Sequence, residues 1–365
     1  MAEAVNDNTE EPKIEKAVRP AIFASSMTLS EYSLYIQRLL TGLADESIPT
    51  ALICPDELKA AEIVSPTVTL IRHPQIRLPL FGSENRKILI EKLIKFKPTV
   101  LHCLSESSFT TVRQVSKQLN LPYFVSINGT AKLSSLHSLS ANRLAGIITP
   151  AESIAAEVAR NFPRLQERIE LIKMGTFVSE KTASFNKLQR TAVIGAACSV
   201  SDKTDFGKML GAIKKLFIAG HNFMTLIIGD GQDEKALRLQ MSALGITKNI
   251  TIIPRNEPWR AVLSACDIFI EPRQNRYFNL MLLEALAAGV TVAGCKGGVD
   301  DLIITAQTAE VLDKNDEHSI FTCIRHFLEN PQQARALGAS AQNYVRNNHS
   351  VSKMFAETIE CYRKV

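Results

Sequence analysis

No stretch of this chain approaches the roughly 18 to 20 consecutive apolar residues that a membrane-crossing helix needs. Its first residues, MAEAVNDNTEEPKIEK, are acidic and polar where a signal peptide would be basic and then apolar. The 7 cysteines (Cys54, Cys103, Cys198, Cys266, Cys295, Cys323 and Cys361) are odd in number, scattered and mostly set in apolar runs, without close pairs. That is the usage of reduced core residues, not of disulfides or metal ligands. The 7 histidines show no metal-ligand spacing with an acidic partner, so no metal is expected. No basic stripe carries interleaved aromatics, which argues against nucleic acid, and no short-period repeat is present. The expected location is the cytoplasm, with peripheral contact at the inner membrane face left open to the basic segment Lys87 to Lys97.

What the chain does have is length and apolar content: 365 residues at 45% hydrophobic suit two domains with full cores. The net charge of +5 is mild, and the acidic first sixteen residues make the body more basic than the total; a phosphate-bearing partner and ordinary solubility both fit that balance. Residues 1–18 lack periodicity and contain Pro12, which predicts a disordered tail. Strand and helix then alternate. Ala21–Ala24, Thr50–Cys54, Thr67–Ile71, Val100–Cys103, Tyr123–Ile127, Gly146–Thr149 and Ile169–Lys173 read as strands. Ser30–Leu43, Lys87–Lys95, Thr110–Leu119 and Ala151–Arg160 read as helices. The polar segment Ser179–Arg190 is the candidate linker. A second series follows: strands Ala192–Ala197, Thr225–Gly229, Ile250–Ile253, Asp267–Ile270 and Val290–Gly294, helices near Lys208–Phe217, Glu234–Leu244 and Leu280–Ala288. Three helical segments, Ile320–Glu329, Gln332–Asn347 and Val351–Tyr362, end the chain. This alternation implies two parallel sheets, each wound on both faces, with a cleft between them.

The most informative stretch is EPRQNRYFNLMLLEALAAGVTVAGCKGGVDDLI, Glu271 to Ile303. It reads as strand, crowded loop, helix, strand and glycine-rich turn. Pro272 stops strand pairing, Leu280 opens a helix carrying Glu284, and Gly289 stands where a helix end favours a left-handed residue. Gly297 and Gly298 then let the backbone approach a ligand ahead of Asp300 and Asp301. Ligands of open α/β sheets sit at such carboxyl ends of strands.

This segment resembles the donor-sugar signature of the retaining GT-B glycosyltransferases of the group 1, or family-four, type. Pro272, Phe278, Glu284, Ala285, Ala288, Gly289 and Val290 fall on the pattern without a gap. Arg276 stands where the family has its first glutamate, and Tyr277 and Asn279 replace two glycines. The resemblance covers most of the second half, including IIGDGQDEKALRLQMSALGI with its turn Gly229, Asp230, Gly231, and the C-terminal helices. It implies an N-terminal Rossmann-like acceptor domain at 19–178, a donor domain at 179–350, and a last helix, 351–365, returning to the first domain. The implied activity is transfer of a sugar from a nucleotide-diphosphate donor to a glycan, lipid or small-molecule acceptor with retention of configuration, as a hexosyltransferase of polysaccharide or glycoconjugate biosynthesis. No cofactor beyond the donor is implied.

By the same resemblance Glu284 holds the ribose, while Phe278, Asn279 and Leu280 line the donor. Lys203 and the backbone at Gly297 and Gly298 meet the diphosphate, Gly229, Asp230 and Gly231 approach the base, and Arg276 and Asn128 stand near the sugar. An Arg276 turned into the cleft would match a carboxylated sugar such as a uronic acid. The family arginine after the first donor-domain strand falls on Ala196. The family's glycine-rich turn is replaced by Ser25 to Glu31, and its histidine by Asn128. These four departures motivate an alternative: a non-catalytic GT-B protein that binds nucleotide sugar or glycan, or scaffolds an active transferase. An epimerase is a third reading, for which Glu106, Asp300 and Asp301 are available carboxylates.

Overall fold

The computed structural model describes residues 17–55, 65–73, 82–131, 133–139, 142–187, 190–197, 203–229, 234–254, 259–314 and 316–365. The first half runs β1 (Pro20–Phe23), α1 (Ser26–Glu31), α2 (Ser33–Asp45), β2 (Ala51–Cys54), β3 (Thr69–Arg72), α3 (Gly82–Phe96), β4 (Val100–Cys103), α4 (Phe109–Leu119), β5 (Tyr123–Ser126), β6 (Leu144–Thr149), α5 (Glu152–Asn161) and β7 (Ile169–Leu171). The second runs β8 (Ala192–Ala197), α6 (Lys203–Ile218), β9 (Phe223–Ile228), α7 (Glu234–Leu244), β10 (Ile250–Ile253), α8 (Trp259–Ala265), β11 (Ile268–Glu271), α9 (Leu280–Ala288), β12 (Thr291–Cys295) and β13 (Ala309–Leu312). Helices α10 (Glu317–Glu329), α11 (Pro331–Asn348) and α12 (Val351–Arg363) complete it.

The strands form two sheets, a 7-stranded one in the order β3-β2-β1-β4-β5-β6-β7 and a 6-stranded one in the order β10-β9-β8-β11-β12-β13. Every pairing is parallel. The central strands explain why: β1, β2, β4, β5 and β11 are buried at every position. Such two-sided apolar strands need cover on both faces, which helical crossovers supply. In each sheet the strand order reverses once, between β1 and β4 and between β8 and β11, and the connections leave to opposite faces there. A crevice opens at the carboxyl ends of those strands.

The chain crosses between the halves twice, and the crossings touch: the Thr176 amide donates to the His349 carbonyl at 2.9 Å. Helix α12 then packs on α2, where the absent side chain of Gly42 makes room for the Phe355 ring. Its end reaches the first sheet through Tyr362, whose hydroxyl lies 2.6 Å from Nδ1 of His102.

Several expectations shift. Ser30–Leu43 is not one helix: α1 ends and α2 begins around Tyr32, at φ −120°, where the Tyr32 hydroxyl donates to the Phe278 carbonyl across the cleft at 3.1 Å. Of the expected tail, residues 1–16 lie outside the described residues, whereas Val18 is core and Arg19 N–H donates to Thr99 Oγ1 at 2.9 Å. Packing therefore begins ahead of residue 19. Lys203, expected before a helix, is the first residue of α6. Helix α8 and strand β13 were not expected from the sequence.

Candidate functional site

Where the two switch points face each other lies a cavity of about 490 Å³. Its first-domain wall comes from the segments after β1 (Ser25 to Tyr32), β4 (Leu104 to Ser107) and β5 (Asn128). Its second-domain wall comes from Ala197 after β8, from Trp259, and from the loop Arg273 to Met281 after β11.

That loop is held by one buried carboxylate. Glu271 ends β11 with no exposure, and its Oε2 accepts from Asn279 Nδ2 at 2.6 Å. Burial raises its carboxyl above the usual range, opposed chiefly by the nearby Arg273 guanidinium, whose Nε lies 3.6 Å away. So fixed, Asn279 turns its Oδ1 to the Leu282 amide at 3.0 Å and caps α9. The loop's other side rests on the turn after β12. Gly298 there has φ +97°, a conformation that favours glycine, and a Cβ would stand 2.3 Å from the Asn275 carbonyl oxygen. Asp300 Oδ2 accepts from Gly297 N–H at 2.7 Å, tightening the turn.

The first-domain wall is built from hydroxyls instead of glycines. Ser25 N–H donates to Ser105 Oγ at 2.7 Å, Thr28 Oγ1 lies 2.7 Å from the same oxygen, and Ser25 Oγ caps α1 at the Thr28 amide. Behind it, His102 is fully buried, with Nε2 2.8 Å from Ser126 Oγ; burial lowers its pKa to about 3, so the ring is neutral.

Besides the Tyr32 to Phe278 hydrogen bond, the two walls join through backbone. Phe278 N–H donates to the Asn128 carbonyl at 2.7 Å and Thr130 N–H to the Arg276 carbonyl at 2.8 Å, an antiparallel bridge of Gly129 with Tyr277. The Tyr277 ring fills the space over Gly129, where a Cβ would lie 2.3 Å from its Cδ1. Tyr277 is partly exposed, and burial, with the Glu106 charge behind it, raises its pKa.

Of the residues singled out from the sequence, Asn128, Arg276, Phe278, Asn279 and Leu280 line the cavity. Gly297 and Gly298 do not line it; they support the loop that does. Gly229 directly follows β9, its amide bonded to the Ile253 carbonyl. Asp230 and Gly231 lie outside the described residues, as does the Lys203 side chain. Glu284 is the notable case. Its side chain is unexposed and lies between two arginines, Arg38 Nη1 at 2.6 Å from Oε1 and Arg260 Nε at 2.9 Å from Oε2. In this arrangement its carboxylate faces the domain junction. Asp301 is also engaged across the junction, accepting from the Ser153 amide at 3.0 Å. Sequence reasoning missed Arg273 and Trp259. The position of Arg273 next to Pro272 in the motif was the available signal for the first; Trp259, the chain's single tryptophan, had none. Among the described residues no group of His, Cys, Asp or Glu is placed to hold a metal, and no helix is long and apolar enough to cross a membrane.

Two facing parallel-sheet domains with the last helix returned to the first define the GT-B fold. The solved Anabaena HepE in complex with UDP and glucose superposes with a TM-score of 0.79 at 12% identity, covering 95% of this chain and 100% of that one. A glycosyltransferase from Rickettsia africae gives 0.78 at 14% identity, covering 95% and 98%. Residues 180–344 match the family described as glycosyl transferases group 1. A curated relative, the GDP-mannose-dependent alpha-(1-6)-phosphatidylinositol monomannoside mannosyltransferase of Mycolicibacterium smegmatis, is 29% identical over 133 residues, 33% of this chain and 35% of the relative. The chain thus spans about a third of the length of the first curated relatives it matches.

Proposed function

We propose that the protein is a nucleotide-sugar-dependent glycosyltransferase acting with retention of configuration. The observation that carries this reading is the cavity at the facing switch points. Its second-domain wall offers the N-terminus of α9 together with Arg273 and Arg276, and its first-domain wall offers hydroxyls and the Asn128 amide. A departing diphosphate needs compensating positive charge, which helix N-termini and guanidinium groups supply. Retaining transfer of this kind relies on electrostatic positioning more than on a strong base. That suits a wall whose nearest histidine is buried and neutral. The match of residues 180–344 to group 1 and a relative that uses GDP-mannose support the same reading. The donor enters as substrate and no metal is assigned a role.

A second reading has its own observation. The Gly129 to Tyr277 bridge spends backbone groups beside Arg276, and Glu284, read from the resemblance as the ribose ligand, is paired with two arginines. Both favour a GT-B protein that binds a nucleotide sugar or glycan without turnover. One panel separates them: thermal shift against uridine, guanosine and adenosine diphosphates and their common sugars, followed by release of the free nucleotide. Stabilisation with slow nucleotide release supports the enzyme. Stabilisation without release supports the binding protein, and no stabilisation by any member refutes the enzyme and nucleotide-sugar binding alike, leaving glycan binding to be read from the same thermal shift with oligosaccharides.

A further inference from the structure

A second cavity, of about 1000 Å³, opens between α2, α12 and the crossing segment at Phe177, and shares no lining residue with the first. Arg38 lines it. The Arg38 side chain is only 5% exposed. Its Nη1 is spent on Glu284 Oε1 and on the Gly175 carbonyl at 3.0 Å, but its Nη2 has no hydrogen-bond partner among the described residues. A buried guanidinium donor left unmet is costly, and native structures rarely leave one so. Arg260 lines the same cavity with its side chain 40% exposed. Among the described residues two guanidinium groups therefore share the carboxylate of Glu284, and one Arg38 donor is left unmet beside the cavity.

The rest of the wall narrows the chemistry. Phe177 is 58% exposed, with its ring centroid 5.6 Å from Arg38 Cζ, and its carbonyl accepts from Arg260 Nη2 at 2.5 Å. Val351 and Phe355 add apolar surface. Asp45, Glu46, Glu360 and Arg363 also line it, and three carboxylates against one guanidinium disfavour polyanions such as nucleoside triphosphates. We propose that this cavity is a second binding site, for a small molecule with one carboxylate or phosphate oxyanion and a flat or apolar body. The oxyanion seats on the exposed Arg260 guanidinium, within the field of the buried Arg38 beside it, and the body lies against Phe177. Arg38 belongs to the first domain and Arg260 to the second, so an occupant ties the domains together at their junction. The inference does not depend on what the first cavity binds.

The test uses the full chain and simple probes: benzoate and inorganic phosphate, with benzamide as the neutral counterpart of benzoate, all at constant ionic strength. Thermal shift and calorimetry are expected to show binding of at least one oxyanion and none of benzamide. Arg260→Gln, which removes a charge-assisted donor, should weaken that binding roughly tenfold. Phe177→Ala should weaken benzoate binding, and it decides the matter if Arg260→Gln proves unfolded by circular dichroism. Arg276→Gln, in the other cavity, should leave it unchanged. Equal response to benzoate and benzamide, no response to either oxyanion, or a response that survives both Arg260→Gln and Phe177→Ala would overturn the proposal, the last as an adventitious ion only.

Discussion

Replacing Arg38 with methionine is expected to destabilise the protein by about 4 kcal/mol, and the structure says why. The change leaves Glu284, whose side chain has no exposure, with Arg260 alone at 2.9 Å. Breaking a buried pair from one side costs about 3–5 kcal/mol, because the remaining charge stays in a low-dielectric site. Arg260 is partly hydrated and moderates this, which places the ion-pair loss at the lower end. Losing the donor to the Gly175 carbonyl adds about 1 kcal/mol. Urea unfolding followed by fluorescence and circular dichroism measures the loss as a lower midpoint. The double variant Arg38→Met/Glu284→Met should recover at least half of it, since apolar residues of similar volume often replace a buried pair at little net loss. A single variant costing less than about 1 kcal/mol, or a double variant whose loss is the sum of the two singles, would refute the assignment of this pair as a buried tie between the domains.

Asn279→Ala removes both the cap of α9 and the donor to buried Glu271; a loss of about 2 kcal/mol is expected in the same unfolding assay. Gly129→Ala puts a Cβ 2.3 Å from the Tyr277 ring, so the bridge should open, and amide exchange at Phe278 and Thr130 should speed up while the sheets stay protected. Stability should fall as pH drops below 6.5. Burial holds folded His102 at about 3 and His349 at about 4, so the unfolded chain takes up protons first, at up to about 1.4 kcal/mol per pH unit for each histidine. The loss begins as pH passes below 6.5 and levels off near those folded values; urea midpoints equal at pH 7 and pH 5 would contradict it.

Much of the fold was legible because local signals and tertiary context agree. Glu234–Leu244 and Leu280–Ala288 match the helices residue for residue, and Ala192–Ala197 and Ile250–Ile253 match the strands. The break at Tyr32 was not legible, since no glycine or proline marks it; it goes with a hydroxyl bonding a carbonyl 246 residues away. Helix α8 and strand β13 are short enough that their few apolar residues carry no clear period. In the site, the motif after β11 pointed to the loop that lines the cavity. Sequence could not show that Glu284 lies between two arginines, one of them 246 residues away. Nor could it show that serines and threonines from two loops would assemble the wall where a glycine turn was sought.

The most direct test of the central claim is amide hydrogen exchange on the full chain with saturating uridine, guanosine or adenosine diphosphate, each alone. One of them is expected to protect residues 273–281 and 104–107. That protection should be lost in Gly298→Ala, whose Cβ would strike the Asn275 carbonyl behind the loop. No protection from any nucleotide, or protection confined to residues 34–46 and 351–363 around the second cavity, would contradict the placement of the donor between the two switch points.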